Sequence, residues 1–105
     1  MLLMRKEFFE DIRAGTKTTT LRYWRWCHVR AGGVQTVPGL GKVRIEAARP
    51  IEPRELTDED ARTDGFDNVA ALRRALDRLY PPTQRAGRRL YQIRFTFLSN
   101  PSAAP

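Results

Sequence analysis

Hydrophobic positions recur along the chain with two different periods, and each period predicts a type of element. After a short apolar stretch, Met1 to Met4, the residues Phe8, Phe9 and Ile12 fall on one stripe while Lys6, Glu10, Asp11 and Arg13 face away. This spacing predicts a helix over residues 5–14. Gly15 stands where a helix commonly stops in the left-handed conformation. Thr18 to Trp26 is rich in β-branched and aromatic residues and predicts a strand. A turn at Arg30 to Gly33 leads to a short strand, Val34 to Val37. Lys42 to Ala48 then alternates, with Val43, Ile45 and Ala47 inward and Lys42, Arg44 and Glu46 outward, until Pro50 and Pro53 break the pairing or confine it to an edge.

The period then returns to helical. Thr57 is a candidate N-cap followed by Asp58, Glu59 and Asp60, acids that complement a helix dipole. Gly65 closes this short helix and Asp67 or Asn68 opens the next, whose Val69, Leu72, Leu76 and Leu79 make one apolar face before Pro81 and Pro82 stop it. The last segment, Arg89 to Leu98, predicts a strand with Tyr91, Ile93, Phe95 and Phe97 on one face and Gln92, Arg94 and Thr96 on the other. Antiparallel strands with short inserted helices predict an α+β fold built on a small, closed or nearly closed β-barrel. The 105 residues suffice for one domain, expected over residues 1–99, with a frayed tail over residues 100–105.

Composition changes this picture in one respect. A hydrophobic content of 41% is ordinary for a globular chain, but the net charge of +7 comes from sixteen arginines against three lysines. Arginine offers planar, bidentate donors to phosphates and stacks on bases, so a nucleic-acid partner is one expectation and a merely solubilising surface is the other. A single cysteine, Cys27, excludes an internal disulfide, and Cys27 and His28 alone supply no metal-ligand set, so no metal or cofactor is expected. No apolar run approaches a membrane span, and a cytoplasmic monomer without membrane association is expected.

The candidate chemistry lies where the first helix runs into the first strand, at Ala14-Gly15-Thr16-Lys17-Thr18-Thr19-Thr20-Leu21-Arg22. Three hydroxyls between a lysine and an arginine are poor material for a buried strand, and they suit a phosphate, a carbonyl oxygen or a base edge. Lys17 and Thr20 could act as base and nucleophile if Lys17 sits in the loop after Gly15. Arg22 shares a strand face with Thr18, Thr20 and Trp24; it is either a clamp for an anion or the partner of an acid such as Asp64 or Asp60. Trp24 and Trp26, with Arg25 between them, have the aromatic and cationic alternation of a single-strand stacking platform, although at least one tryptophan is expected to fill the core. Arg94 adds a cation on the final strand.

This nine-residue block resembles the Gly-x-Lys-Thr-x-Thr-x-Arg signature of the ASCH domain family, one of the PUA-like barrels. Leu56 to Phe66 resembles that family's short acidic helix, Leu72 to Pro81 its leucine-rich helix ending in Tyr-Pro, and Leu90 to Phe97 its closing strand. The resemblance implies a cleft between the Lys/Thr loop and the acidic helix, in a family whose members bind RNA or act on nucleosides. One branch is an amidohydrolase that deacetylates N4-acetylcytidine with a lysine, a threonine and a glutamate. The first two fall on Lys17 and Thr20, and the third on Asp64, a shorter acid. The run Tyr23-Trp24-Arg25-Trp26 also departs from that branch, whose members are polar and acidic there. The expectation is therefore a module that binds RNA, single-stranded nucleic acid or a modified nucleoside through Lys17, Thr18, Thr20, Arg22, Trp24, Arg25, Trp26, Arg94 and Asp64. The alternatives are a metal-free amidohydrolase acting on an acylated nucleoside and, further off, a ribonuclease.

Overall fold

A computed structural model describes residues 1–99, so the predicted tail lies outside the described residues. A 3₁₀ turn at Lys6–Phe8 runs into helix α1 (Phe9–Ala14), followed by strands β1 (Thr19–Trp24), β2 (Val34–Val37) and β3 (Gly41–Pro50). Helices α2 (Asp58–Thr63), α3 (Val69–Leu79) and α4 (Pro82–Arg85) come next, and strand β4 (Arg89–Ser99) ends the described chain. The four strands form one antiparallel sheet in the order β1-β4-β3-β2. Register shifts in β3 between Lys42 and Val43 and between Ile45 and Ala47 add local twist, and the sheet curls into a half-barrel. β1 and β2 are the outer strands, β2 meeting the N-terminal segment where the Leu2 N–H donates to the Thr36 carbonyl, so the sheet is open where the sequence predicts a closed or nearly closed barrel. Pro50 ends β3 beyond the stretch that β2 covers, where its missing N–H costs no ladder bond on that side.

Each face of the curl buries its own core. Leu2, Phe9, Ile12, Val37, Leu40, Val43, Ile45, Ile93 and Phe95 pack on one side, which α1 and the N-terminal segment cover. Leu21, Tyr23, Ile51, Leu56, Ala61, Leu72, Leu76 and Leu90 pack on the other, under α2 and α3. The alternation of β4 accounts for the split: Ile93 and Phe95 point one way, Leu90 the other. Gln92, on the face of β4 opposite Ile93 and Phe95, is buried and hydrogen-bonded to both Asp60 and Arg49. Capping follows the sequence closely, with the Thr57 side chain accepting from the Asp60 N–H and Asn68 accepting from Ala71. No helix among the described residues is long and apolar enough to cross a membrane.

Candidate functional site

Helix α1 stops at Gly15, whose φ of 80° lets the chain turn back across the helix end. The Asp11 carbonyl accepts from the backbone N–H of both Thr16 and Lys17, so the turn is tight and Lys17 is directed inward. The next residue is tied to two other elements: the Thr18 N–H donates to the Thr63 carbonyl at the end of α2, and the Thr18 carbonyl accepts from Phe95 on β4. Lys17 and Asp64, 47 residues apart in sequence, are thereby neighbours.

Both are buried, with 3% and 6% of their surface exposed. The Lys17 ammonium donates to the carbonyls of Thr19 (2.8 Å) and Asp64, and lies 3.6 Å from the Asp64 carboxylate. The other Asp64 oxygen accepts from the Thr19 hydroxyl at 3.3 Å, and that hydroxyl also meets Thr63. One side of the ammonium is covered by the Phe8 ring, 4.6 Å from its centroid. Phe8 in turn tilts against Phe66 and lies so close to Gly65 that a Cβ there would stand 2.9 Å from a ring carbon. Gly65 also has a φ of 98°, so both conformation and space favour glycine at this point.

Burial dominates the electrostatics. It lowers the Lys17 amine from its usual range against the opposing pull of Asp64, and it raises the Asp64 carboxyl to about 6 although Lys17 and Thr19 favour the ionised form. The shorter acid thus still engages the lysine, with its carboxylate on one side and its own backbone carbonyl on the other.

Lys17 and Asp64 open onto a cleft of about 300 Å³ that runs along the free edge of β1. Leu3, Met4 and Phe8 wall one side; Leu72, Leu76 and Tyr80 wall the other, while Thr20 and Arg22 lie between. Arg22 donates through Nε to the Thr20 hydroxyl at 3.2 Å and through Nη2 to the Leu3 carbonyl, tying the N-terminal segment to the strand. Its guanidinium makes no ion pair with Asp64 or Asp60 among the described residues, and burial lowers it from its ordinary value. Every buried side-chain nitrogen and oxygen among the described residues has a hydrogen-bond partner.

Of the residues singled out in the sequence, Lys17, Thr20, Arg22 and Asp64 line this cleft; Thr18, Trp24, Arg25, Trp26 and Arg94 do not. Thr18 precedes β1, so the strand alternation that would pair it with Thr20 does not reach it, and it lines a separate recess with Phe95 and Phe97. Arg94 is exposed on β4. The strand ends at Trp24, and Trp24, Arg25 and Trp26 gather with His28 at a separate corner. Three contributors were not singled out: Thr19, Thr63 and Phe8. Thr19 had a sequence signal, the hydroxyl between Lys17 and Thr20, whereas Thr63 and Phe8 reach the site only through tertiary contact. Among the described residues no group of three His, Cys, Asp or Glu side chains is placed to hold a metal ion.

The fold is shared with solved structures. A hypothetical protein known from a crystal structure superposes with a TM-score of 0.75 at 17% identity, covering 90% of this chain and 94% of that one. A Pyrococcus furiosus protein solved by NMR gives a TM-score of 0.65 at 19% identity, over 90% of this chain and 92% of that one. No family model matches. Two curated proteins, from Shewanella sp. strain W3-18-1 and from Shewanella putrefaciens, are each 32% identical to this chain over 108 aligned positions, spanning 93% of it and 100% of their own length. Both are named N(4)-acetylcytidine amidohydrolase, and with identity of that level over their full length, this chain belongs to their family.

Proposed function

We propose that this protein is an amidohydrolase that removes the acyl group from an N4-acylated cytidine, with Thr20 as nucleophile, Lys17 as base and Asp64 as the group that holds the base. The observation that carries this reading is the buried Lys17–Asp64 pair opening on the same cleft as a Thr20 hydroxyl already hydrogen-bonded to Arg22. The names of the full-length relatives supply the substrate class. The same reading assigns the chain to the ASCH type of PUA-like domain, on Gly15, Lys17, Thr18, Thr20 and Arg22 of the signature.

A nucleophile, a base in reach of it and a third group that orients the base form the recurrent arrangement for acyl transfer. As an ammonium, Lys17 has three donors for two carbonyls and a carboxylate; as an amine it keeps two N–H groups for the carbonyls and frees a lone pair. Burial favours the amine, so holding Lys17 in the deprotonated form that can act as a base near neutral pH costs less than it would for an exposed lysine. In the first half-reaction the Lys17 amine takes the Thr20 proton, the threonine oxygen bonds to the acyl carbon, and the carbon–nitrogen bond breaks. The proton passes to the departing exocyclic nitrogen. In the second, water attacks the threonine ester, giving up a proton through Lys17 to the threonine oxygen, and the carboxylic acid leaves. Asp64, ionised above about pH 6, stabilises the lysinium formed in each half. Arg22 favours negative charge on the threonine oxygen, and the apolar walls of Leu72, Leu76 and Tyr80 suit a planar base.

The test is turnover of N4-acetylcytidine and related N4-acyl nucleosides by purified protein, read as cytidine by chromatography. Release of cytidine that disappears in Lys17→Ala and in Thr20→Ala is expected. Absence of turnover across the acyl series by well-folded wild-type protein would overturn the reading.

A further inference from the structure

The residues of β1 do not end with the cleft. Thr20, Arg22 and Trp24 follow one another on one face of the strand, and Trp24 lies two residues, about 7 Å, beyond Arg22. Trp24 is half-buried: it leans on Tyr91 at 6.1 Å between ring centroids and packs against the core. The chain then turns so that His28 lies 4.7 Å from Trp24 and is stacked on Trp26, with centroids 5.5 Å apart and the rings only 2° from parallel. The result is a three-ring cluster, a stacked Trp26–His28 pair leaning on a tilted Trp24, anchored at one end and open at the other, where Trp26 is 65% exposed. Trp24, Arg25, Trp26, His28 and Arg88 line a recess of about 220 Å³.

An indole held this far out of the core gains little for folding, since most of its surface remains in water. Held parallel to an imidazole, it is pre-ordered to receive another flat ring, and two arginines beside it supply charge for a phosphate. Arg22, which lines the cleft, and Trp24, at the anchored end of this corner, are about two stacking steps of 3.4 Å apart along the strand, a short span for a polynucleotide. A net charge of +7 has the complementary sign.

We propose that the Trp24–His28–Trp26 corner, with Arg25 and Arg88, is a stacking site for a base of single-stranded nucleic acid, and that an acylcytidine carried in such a strand is a better substrate than the free nucleoside. The second half of this proposal rests on the amidohydrolase reading; the first does not. The experiment is anisotropy of a labelled six-residue oligocytidylate, in parallel with kcat/KM for an oligonucleotide containing one N4-acetylcytidine and for the nucleoside alone. Wild-type protein is expected to bind the unmodified strand with an affinity that falls as salt rises, Trp26→Ala to weaken it about tenfold, and Trp26→Phe to restore part of the loss. Trp26→Ala should also lower kcat/KM for the oligonucleotide about tenfold more than for the nucleoside. Equal binding by wild type, Trp26→Ala and Arg88→Ala overturns the stacking site. Trp26-dependent binding with no turnover of either substrate upholds the stacking site and overturns the amidohydrolase reading. Turnover of the nucleoside with no strand binding does the reverse.

Discussion

Two corners of this molecule hang on the same strand and use opposite physics. At one end of β1, Lys17, Thr19 and Asp64 are buried and bonded to one another, and their chemistry comes from being out of water. At the other, Trp26 and His28 lie in solvent, and what they offer a ligand is exposed surface held in a fixed orientation. Burial tunes a proton equilibrium and exposure presents a face. A single edge strand does both because its free edge gives the cleft room and its last residue leads straight into the loop.

The comparison breaks most visibly at Lys17. Lys17→Arg keeps a positive charge but removes the titratable amine, so deacylation should fall by about three orders of magnitude, as should that of Lys17→Met. A rate within tenfold of wild type for Lys17→Arg would make Lys17 a binding cation and not a base. Thr20→Ala combined with Lys17→Met should be little worse than either alone, because the two act as one unit.

Next in size is the pH dependence set by burial of Asp64. Its folded-state carboxyl is raised from 3.8 to about 6, so the protonated form is favoured by folding. The corresponding stability is full below about pH 4 and is lost as pH rises through about 6, by at most about 3 kcal/mol. Asp64→Asn cannot ionise and should flatten that window in urea unfolding measured from pH 4 to 7. An unchanged slope would place the titration elsewhere. Deacylation runs the other way, rising through about pH 6 as the carboxylate forms.

Gly65→Ala tests how tightly the buried corner is packed. The left-handed backbone and the 2.9 Å approach to Phe8 should together cost roughly 1–3 kcal/mol, and Phe8→Ala in the same chain should relieve the steric part. Additive losses in the double variant would show that the ring is not the obstacle. The smallest effect belongs to the exposed corner: Trp26→Ala should change stability by no more than about 0.5 kcal/mol, whereas Trp24→Ala, with Tyr91 and the core against it, should cost clearly more in the melting temperature.

The elements and half of the site were legible in the chain because their causes are local. Gly15 stops α1, Thr57 and Asn68 cap their helices, and the alternation of Ile93 and Phe95 assigns β4 a core face. The Lys/Thr/Arg block stood out because hydroxyls and cations are costly in a strand unless something uses them. Other outcomes had no local cause. Strand alternation grouped Thr18 with Thr20, but hydrogen bonds from Thr18 to Thr63 and Phe95 fix the chain before β1 begins. Arg22, read as either an anion clamp or the partner of an acid, bonds Thr20 and the Leu3 carbonyl, in a segment held by the buried Leu2 side chain and by the Leu2 N–H on β2.

The sequence by itself determined the helix ends, the strand faces and which residue types gather between Lys17 and Arg22, since capping, pleating and backbone freedom act over a few residues. Tertiary structure alone decided that the sheet stays open, that Asp64 meets Lys17 as a buried pair through both its carboxylate and its backbone carbonyl, and that Phe8 covers their contact. Those depend on chain closure and on burial, which shift a proton equilibrium only once distant segments have together excluded water.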